Sequence, residues 1–253
     1  MLYLIGTGIW DEMDMSLRAV ECAKKCERVY AEFYTTKNGT DAKKLSKLIG
    51  KDVVEVQRKD LEENCARMVE EARYNDVAIL VGGDCLAATT HSALILEAIK
   101  RKIPYSVIHG SSVFTAVSEC GLFLYKFGNT TTLPFWSDRY KPTSTYETIA
   151  ENTRRGLHTL VLLDIGSSPM EIGTAFTILI DMEKRSSENI NIGEKNIVVL
   201  SRIGSSEQKV TYGKLCDLAE HRELLGKPPF VIVFPGRLHF IEEEMLVNFK
   251  LKK

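Results

Sequence analysis

Val77-Ala-Ile-Leu-Val-Gly-Gly-Asp-Cys-Leu-Ala-Ala-Thr-Thr-His91 is the stretch on which the reading of this chain turns. Five apolar residues of buried-strand type run into two glycines, one acid and a series of small residues that open a helix. This order sets the Asp84 carboxylate at the carboxyl end of a strand, where open α/β sheets bind their ligands. Gly82 and Gly83 let the backbone turn sharply and let a ligand approach closely. Two readings are open at this point: a turn that faces a ligand, or a strand-to-helix turn in which Asp84 only caps the helix.

Outward from this stretch, the first half alternates strands and helices. Strands are expected at residues 2–5, 28–33, 53–56, 77–81 and 105–108. Helices are expected at 14–26, 45–49, 61–74 and 92–102. Strands separated by helical segments predict a parallel, twisted sheet covered on both faces. The second half reads differently. Runs at 123–127 and 131–135, split by Gly128-Asn129, predict a hairpin. Ser144-Thr-Tyr-Glu147 reads as a capping box, with Gly156 as the stop of that helix. Strands at 159–165, 196–203, 208–212 and 230–234, a helix at 173–184 and an exposed polar loop at 185–195 complete a mixed-sheet half. The break falls near 108–114, which gives two domains, 1–110 and 111–253.

Composition narrows the function classes. The 253 residues are 44% hydrophobic and 26% charged, and 33 basic residues face 34 acidic ones. A near-neutral balance gives no global field for nucleic acid or a membrane surface. No apolar run nears the roughly 18 residues of a membrane span. The amino terminus enters a strand pattern at once and has no signal-peptide form. A cytoplasmic protein is expected, with neither nucleic acid nor membrane as partner. The six cysteines form no CxxC and the five histidines no HExxH, so no metal is expected. Cys22 and Cys26, four apart on a helix, read as core-facing thiols.

Few motifs carry chemistry on their own. Gly6-Thr7-Gly8 lacks the third glycine of a dinucleotide fingerprint, because position 11 is Asp. It reads as a tight turn lining another ligand's cleft. Neither GxxxxGK[ST] nor GxSxG occurs. His109-Gly-Ser-Ser-Val113 follows another strand and supplies two hydroxyls. The strand ends after residues 5, 81 and 108 thus carry glycine-rich or small-residue turns on what should be one edge of a parallel sheet. His91 and His158 read as structural, while His239, after a Pro-Gly turn, is the histidine of most interest.

Taken together, these segments resemble the diphthine synthases, S-adenosylmethionine-dependent methyltransferases of the tetrapyrrole-methylase (class III) fold. The resemblance runs through LYLIGTGIWDEMDMSLRAVE from residue 2, AEFYT at 31–35, GGDCLAATTHSAL at 82–94 and YSVIHGSSVFTAV at 105–117. It continues with GLFLYKFG at 121–128, RGLHTLVLLDI at 155–165, LSRIGSS at 200–206 and PGRLHFIEEEML at 235–246. Two departures stand out. Cys85 replaces the proline of a Gly-Asp-Pro turn, which implies a looser loop, and Gly110 stands where Ala-Pro or Asn-Ala is usual.

The resemblance implies an α/β protein with a parallel-sheet amino-terminal domain, a mixed-sheet carboxyl-terminal domain and a cofactor cleft between them. It implies S-adenosylmethionine as cofactor, released as S-adenosylhomocysteine, with Ile9, Asp84, Ala87, Ser112, Val113, Leu163, Ile203 and Phe230 at the cofactor-binding positions. Most of these would act through backbone or apolar contact. Asp84 is the exception, a carboxylate able to accept from a cofactor hydroxyl or amino group. The implied reaction is repeated methylation of the amino group on the modified histidine of elongation factor 2, by a homodimer. No catalytic base is assigned. The alternatives are a methylase of a small corrin or porphyrin precursor, and a non-catalytic S-adenosylmethionine-binding protein.

Overall fold

The computed structural model describes residues 1–37 and 39–252, and the chain divides into two compact units, Met1–Ala116 and Val117–Lys253. In the first unit the strands are β1 (Leu2–Gly6), β2 (Arg28–Glu32), β3 (Val53–Val56), β4 (Val77–Val81) and β5 (Tyr105–Ile108). The helices are α1 (Leu17–Lys25), α2 (Ala42–Ile49), α3 (Arg58–Glu62), α4 (Cys65–Glu71), α5 (Ser92–Lys100) and α6 (Val113–Ala116). The strands form one sheet in the order β3-β2-β4-β1-β5, with every pairing parallel. The expectation of a parallel sheet therefore holds.

Both faces of this sheet are covered. Ile5, Ala78, Leu80 and Ile108 point to the side of α1 and α2, against Ala19, Ala23, Leu45 and Ile49. Leu4, Val77, Ile79 and Val81 point to the side of α4 and α5, against Val69, Leu94 and Ala98. Val77–Val81 is buried along its whole length, as a central strand covered twice must be. The helices that follow β1 and β4 thus lie on opposite faces, and β1 and β4 are neighbours. Their carboxyl ends form a topological switch point, the usual place of a ligand crevice in such sheets.

Several boundaries move from their expected places. The first helix starts at Leu17, because Ser16 caps it by accepting from Ala19 N at 3.1 Å. Residues 61–74 form two short helices, since the chain breaks at Glu63-Asn64. α5 starts at Ser92, with turns between it and Asp84. Asp84 is therefore not the cap of that helix, and this reading of the opening stretch falls.

In the second unit the strands are β6 (Thr131–Leu133), β7 (Thr159–Leu163), β8 (Asn196–Ser201), β9 (Lys209–Lys214) and β10 (Phe230–Phe234). The helices are α7 (Ser144–Arg154), α8 (Ile172–Arg185), α9 (Leu215–Glu220) and α10 (Phe240–Val247). The sheet is mixed, in the order β6-β7-β10-β8-β9, with only the β6–β7 pairing parallel. Tyr146, Ile149, Phe176, Leu179, Leu215 and Leu218 pack with Val161, Val199 and Ile232 into one core.

The predicted hairpin does not form. Leu124–Lys126 is a 3-10 turn, and β6 pairs parallel with β7. The partner of this segment is distant in sequence: His158 N donates to Lys126 O at 3.0 Å, and Gly128 N donates to His158 O at 2.8 Å. Asn152 of α7 then holds the turn, because its amide donates to Asn129 O at 2.9 Å and accepts from Asn129 N at 3.2 Å. The expected capping box does not form. Thr143 is the cap, and its hydroxyl donates to Glu147 Oε1 at 2.6 Å. Gly156 does stop the helix, at φ +70°. The loop expected at 185–195 is not wholly exposed, for Ile192 is buried in the core.

Candidate functional site

At the carboxyl edge of the first sheet, three backbone turns lie almost in contact. Gly8 N donates to Gly83 O at 3.2 Å, and Gly83 N donates to Gly8 O at 2.8 Å. A Cβ on Gly110 would fall 2.5 Å from Gly83 O and 2.9 Å from Gly6 C, and one on Gly6 would fall 2.6 Å from Gly83 O. The strand ends after β1, β4 and β5 thus meet, as their small residues predict. Gly83, at φ +72°, has open space where a side chain would stand.

Asp84 leaves this seam with every contact accounted for. Its Oδ1 accepts from Leu86 N at 2.9 Å, closing the turn after β4. Its Oδ2 accepts from Gly110 N at 3.2 Å and stands 2.7 Å from His109 Nδ1. Ile9 N donates to Ser111 Oγ at 3.1 Å, which ties the first turn to the third. Ser112 is buried and its hydroxyl accepts from Phe114 N at 3.3 Å, at the start of the short helix that carries Val113. Ile9, Asp84, Ala87, Ser112 and Val113 therefore gather on the turns of one sheet edge.

At Cys85, where the resemblance implies a looser loop, the side chain turns inward. Its side chain is fully buried in the core beneath the sheet, with Sγ 3.7 Å from Leu4 O. Burial, and next the neighbouring Asp84 charge, push the thiol up to about 12, so it packs as a small inert hydrophobe.

The other three positions gather in the second unit. Phe230 opens β10, and the register places Val231 opposite Leu162 and Phe230 opposite Ser201. Leu163, Phe230 and, two residues past Ser201, Ile203 thus share one edge of the mixed sheet. A cavity of about 620 Å³ opens beside Phe230 and the first turns of α8, with Thr174, Thr177 and Arg222 on its walls, and is lined by Phe230 but not by Leu163 or Ile203. These cavity residues carry no motif, and their sequence gave no signal of them.

The remaining histidines have structural tasks. His91 is buried, with Nε2 3.2 Å from the Tyr34 hydroxyl, and burial pulls its pKa down. His158 is buried against Glu242. His239, the candidate of most interest by sequence, caps α10: its Nδ1 accepts from Ile241 N at 3.3 Å, and its ring lies tilted against that of Phe240. Glu242 is the hub missed by sequence reasoning. It is fully buried and accepts from Phe123 N at 2.8 Å, His239 N at 2.8 Å, His158 Nε2 at 3.0 Å and the Lys126 ammonium. Among the described residues, no group of three His, Cys, Asp or Glu side chains could hold a metal, and no helix is long and apolar enough to cross a membrane.

A glycine-lined switch point on a parallel sheet, followed in the same chain by a mixed-sheet unit, fits the methylase class that the sequence resembles. The profile of the Tetrapyrrole (Corrin/Porphyrin) Methylases matches residues 1–219, and the chain belongs to this family. Within it the chain stands among the diphthine synthases. It is 41% identical to the diphthine synthase of Methanocaldococcus jannaschii over 252 residues, 97% of each chain. It is 39% identical to the diphthine methyl ester synthase of Schizosaccharomyces pombe, over 97% of this chain and 93% of that one. A crystal structure of a diphthine synthase superposes with a TM-score of 0.90 at 35% identity, covering 98% of this chain and 95% of the other.

Proposed function

We propose that this chain uses S-adenosylmethionine to methylate, repeatedly, the amino group of the diphthamide precursor on elongation factor 2. The observation that carries this reading is the likeness to diphthine synthases along nearly the whole of both chains. Small-molecule methylases of the same fold remain the rival, and the full-length likeness favours the protein substrate. The enzyme is proposed to act in the cytoplasm as a homodimer.

The cofactor-binding residues proposed are Ile9, Asp84, Ala87, Ser112 and Val113 on the first sheet edge, with Leu163, Ile203 and Phe230 on the second. The residues present suit such a molecule. Gly83 leaves room beside the Asp84 carboxylate, an acceptor for a hydroxyl or amino group. The cavity at Phe230 has the size of a nucleoside-scale site and combines apolar walls, from Ile172 and Ile178, with the hydroxyls of Thr174 and Thr177. When bound, S-adenosylmethionine supplies an activated methyl group on a sulfonium. The protein's part is then to orient the acceptor amine in line with that methyl and to exclude water.

The test is methyl transfer from labelled S-adenosylmethionine to elongation factor 2 bearing the 3-amino-3-carboxypropyl histidine, in parallel with precorrin acceptors. Transfer to the protein alone supports the proposal. Transfer to precorrins alone, or cofactor binding without turnover, overturns it. The similarity to a diphthine methyl ester synthase favours a second outcome of the same assay, in which the carboxylate also gains a methyl group. Mass spectrometry of the product distinguishes three methyl groups from four.

A further inference from the structure

We propose that His109 is the general base of this site, its Nε2 taking the proton from the acceptor ammonium before each methyl transfer; this rests on the amine-methylation reading above. The imidazole is directed by a carboxylate that is itself immobile. Asp84 is only 13% exposed and is held by the Leu86 and Gly110 amides, while the His109 side chain is 70% exposed. An ionised carboxylate can only accept, so the 2.7 Å contact to Oδ2 puts the hydrogen on Nδ1. In the neutral ring this leaves the Nε2 lone pair bare. Among the described residues, no hydrogen-bond partner meets Nε2.

This arrangement sets His109 apart from the other four histidines. His91 and His158 are buried, and His158 has both ring nitrogens bonded. His239 spends Nδ1 on a helix cap, and His221 stands 3.9 Å from Glu223 on an exposed turn. His109 instead follows β5 directly, on the edge where Gly6, Gly83 and Gly110 meet. A nitrogen base oriented by a third group, at a ligand-facing edge, is the general pattern of base catalysis.

The chemistry needs a proton acceptor in every round. In each round a nitrogen–carbon bond forms and the sulfur–methyl bond breaks, and the positive charge passes from sulfur to nitrogen. The attacking nitrogen must first have a free lone pair, so the ammonium gives up one proton per round and three in three rounds. His109 Nε2 accepts that proton, and the Asp84 carboxylate compensates the imidazolium that forms. The exposed face of the ring returns the proton to water before the next round.

The experiment compares the full-length chain with its His109→Gln and His109→Ala variants on precursor-bearing elongation factor 2, across pH. Base catalysis of this kind contributes about a hundredfold or more, so kcat at pH 7 should fall by that factor. Calorimetric affinity for S-adenosylmethionine should stay within about threefold, well under the tenfold that marks about 1.4 kcal/mol. The wild-type rate should show a pH-dependent limb shallower than hydroxide concentration. In the variants that limb should be replaced by a rate proportional to hydroxide. Without cofactor, nitrogen NMR of the His109 ring should report the Nδ1–H form in the wild type and a mixture in Asp84→Ala. Unchanged rate and pH profile in both His109 variants would overturn the base while leaving the methyltransferase reading intact. A wild-type chain inactive on this acceptor would sink both.

Discussion

His158 and Glu242, 84 residues apart in sequence, face each other in the interior of the second unit with Nε2 3.0 Å from Oε1. The ring is held at both nitrogens, because Gly236 N donates to Nδ1 at 2.8 Å. That fixes the neutral imidazole with its hydrogen on Nε2, directed at the carboxylate. Lys126 supplies the compensating charge to the other oxygen, Oε2. The YKFG, GLHTL and LHFIEEE segments, scattered through the sequence, are thus three sides of one buried network.

Removing the hub should be costly. Glu242→Ala takes the acceptor from His158 Nε2 and two backbone amides and leaves the Lys126 ammonium only the Arg237 carbonyl, and breaking such buried charge pairs costs about 3–5 kcal/mol. Denaturant unfolding should show a loss of that size, while Glu243→Ala, one position along on the exposed face, should stay within about 0.5 kcal/mol. Equal effects from the two would contradict the network.

The same pair makes the fold sensitive to acid. Burial lowers the His158 pKa from 6.5 despite the attraction of Glu242, so the unfolded ring takes up a proton that the folded ring refuses. Its contribution is complete above about pH 6.5 and declines as pH falls below that value. For Glu242, burial alone would raise the pKa, but hydrogen bonds from Lys126, Phe123, His239 and His158 outweigh it and hold the group at about 2, against 4.5. That contribution is complete above pH 4.5 and is lost as pH falls toward 2. Unfolding free energy should therefore fall from pH 7 to 5 and again from 5 to 3. A flat urea series over this range would refute the assignment.

Gly110→Ala tests the seam of the three turns. Its φ lies outside the left-handed region, so the objection to a side chain is steric alone, with Gly83 O 2.5 Å from the added carbon. Overpacking of this kind costs about 1–3 kcal/mol. Melting temperature and calorimetric S-adenosylmethionine affinity should drop together, since the Asp84 anchor shares this contact through Gly110 N. Gly193→Ala, where the added carbon meets nothing, should change neither.

Asp84→Asn exchanges one acceptor oxygen for a donor. It must lose either the Leu86 amide or the Gly110–His109 side of its contacts. The proposed bond from a cofactor hydroxyl or amino group to this charged acceptor is worth about 1.5–3 kcal/mol, so cofactor affinity should weaken about tenfold or more. The circular dichroism spectrum should not change. Unaltered affinity by calorimetry would remove Asp84 from the cofactor site.

Alkylation reports on the cysteines. Cys85 and Cys26 are buried and pushed to about 12 by burial first, and Cys120 to about 11. Iodoacetamide on the native protein should modify Cys65 and Cys216, which are partly accessible, before these three. Early modification of Cys85 would show that the turn after Asp84 opens readily.

The strand–glycine–acid stretch, the parallel first sheet and the mixed second sheet were legible in the chain itself. They rest on local signals: buried-strand composition, glycines at turns and a regular alternation of elements. What local signals decide poorly is which partner a segment meets. The run at 123–135 looks like a hairpin, yet it lies beside His158 and Asn152, because distant groups satisfy its backbone better than its own turn does. His239 stood out by its neighbours and proved a cap, whereas Glu242, unremarked in a run of three glutamates, is the charge the fold is built around. Even Asp84 was marked only as a carboxylate at a strand end. That it holds His109 follows from two strands that become neighbours of β1 only when the sheet forms.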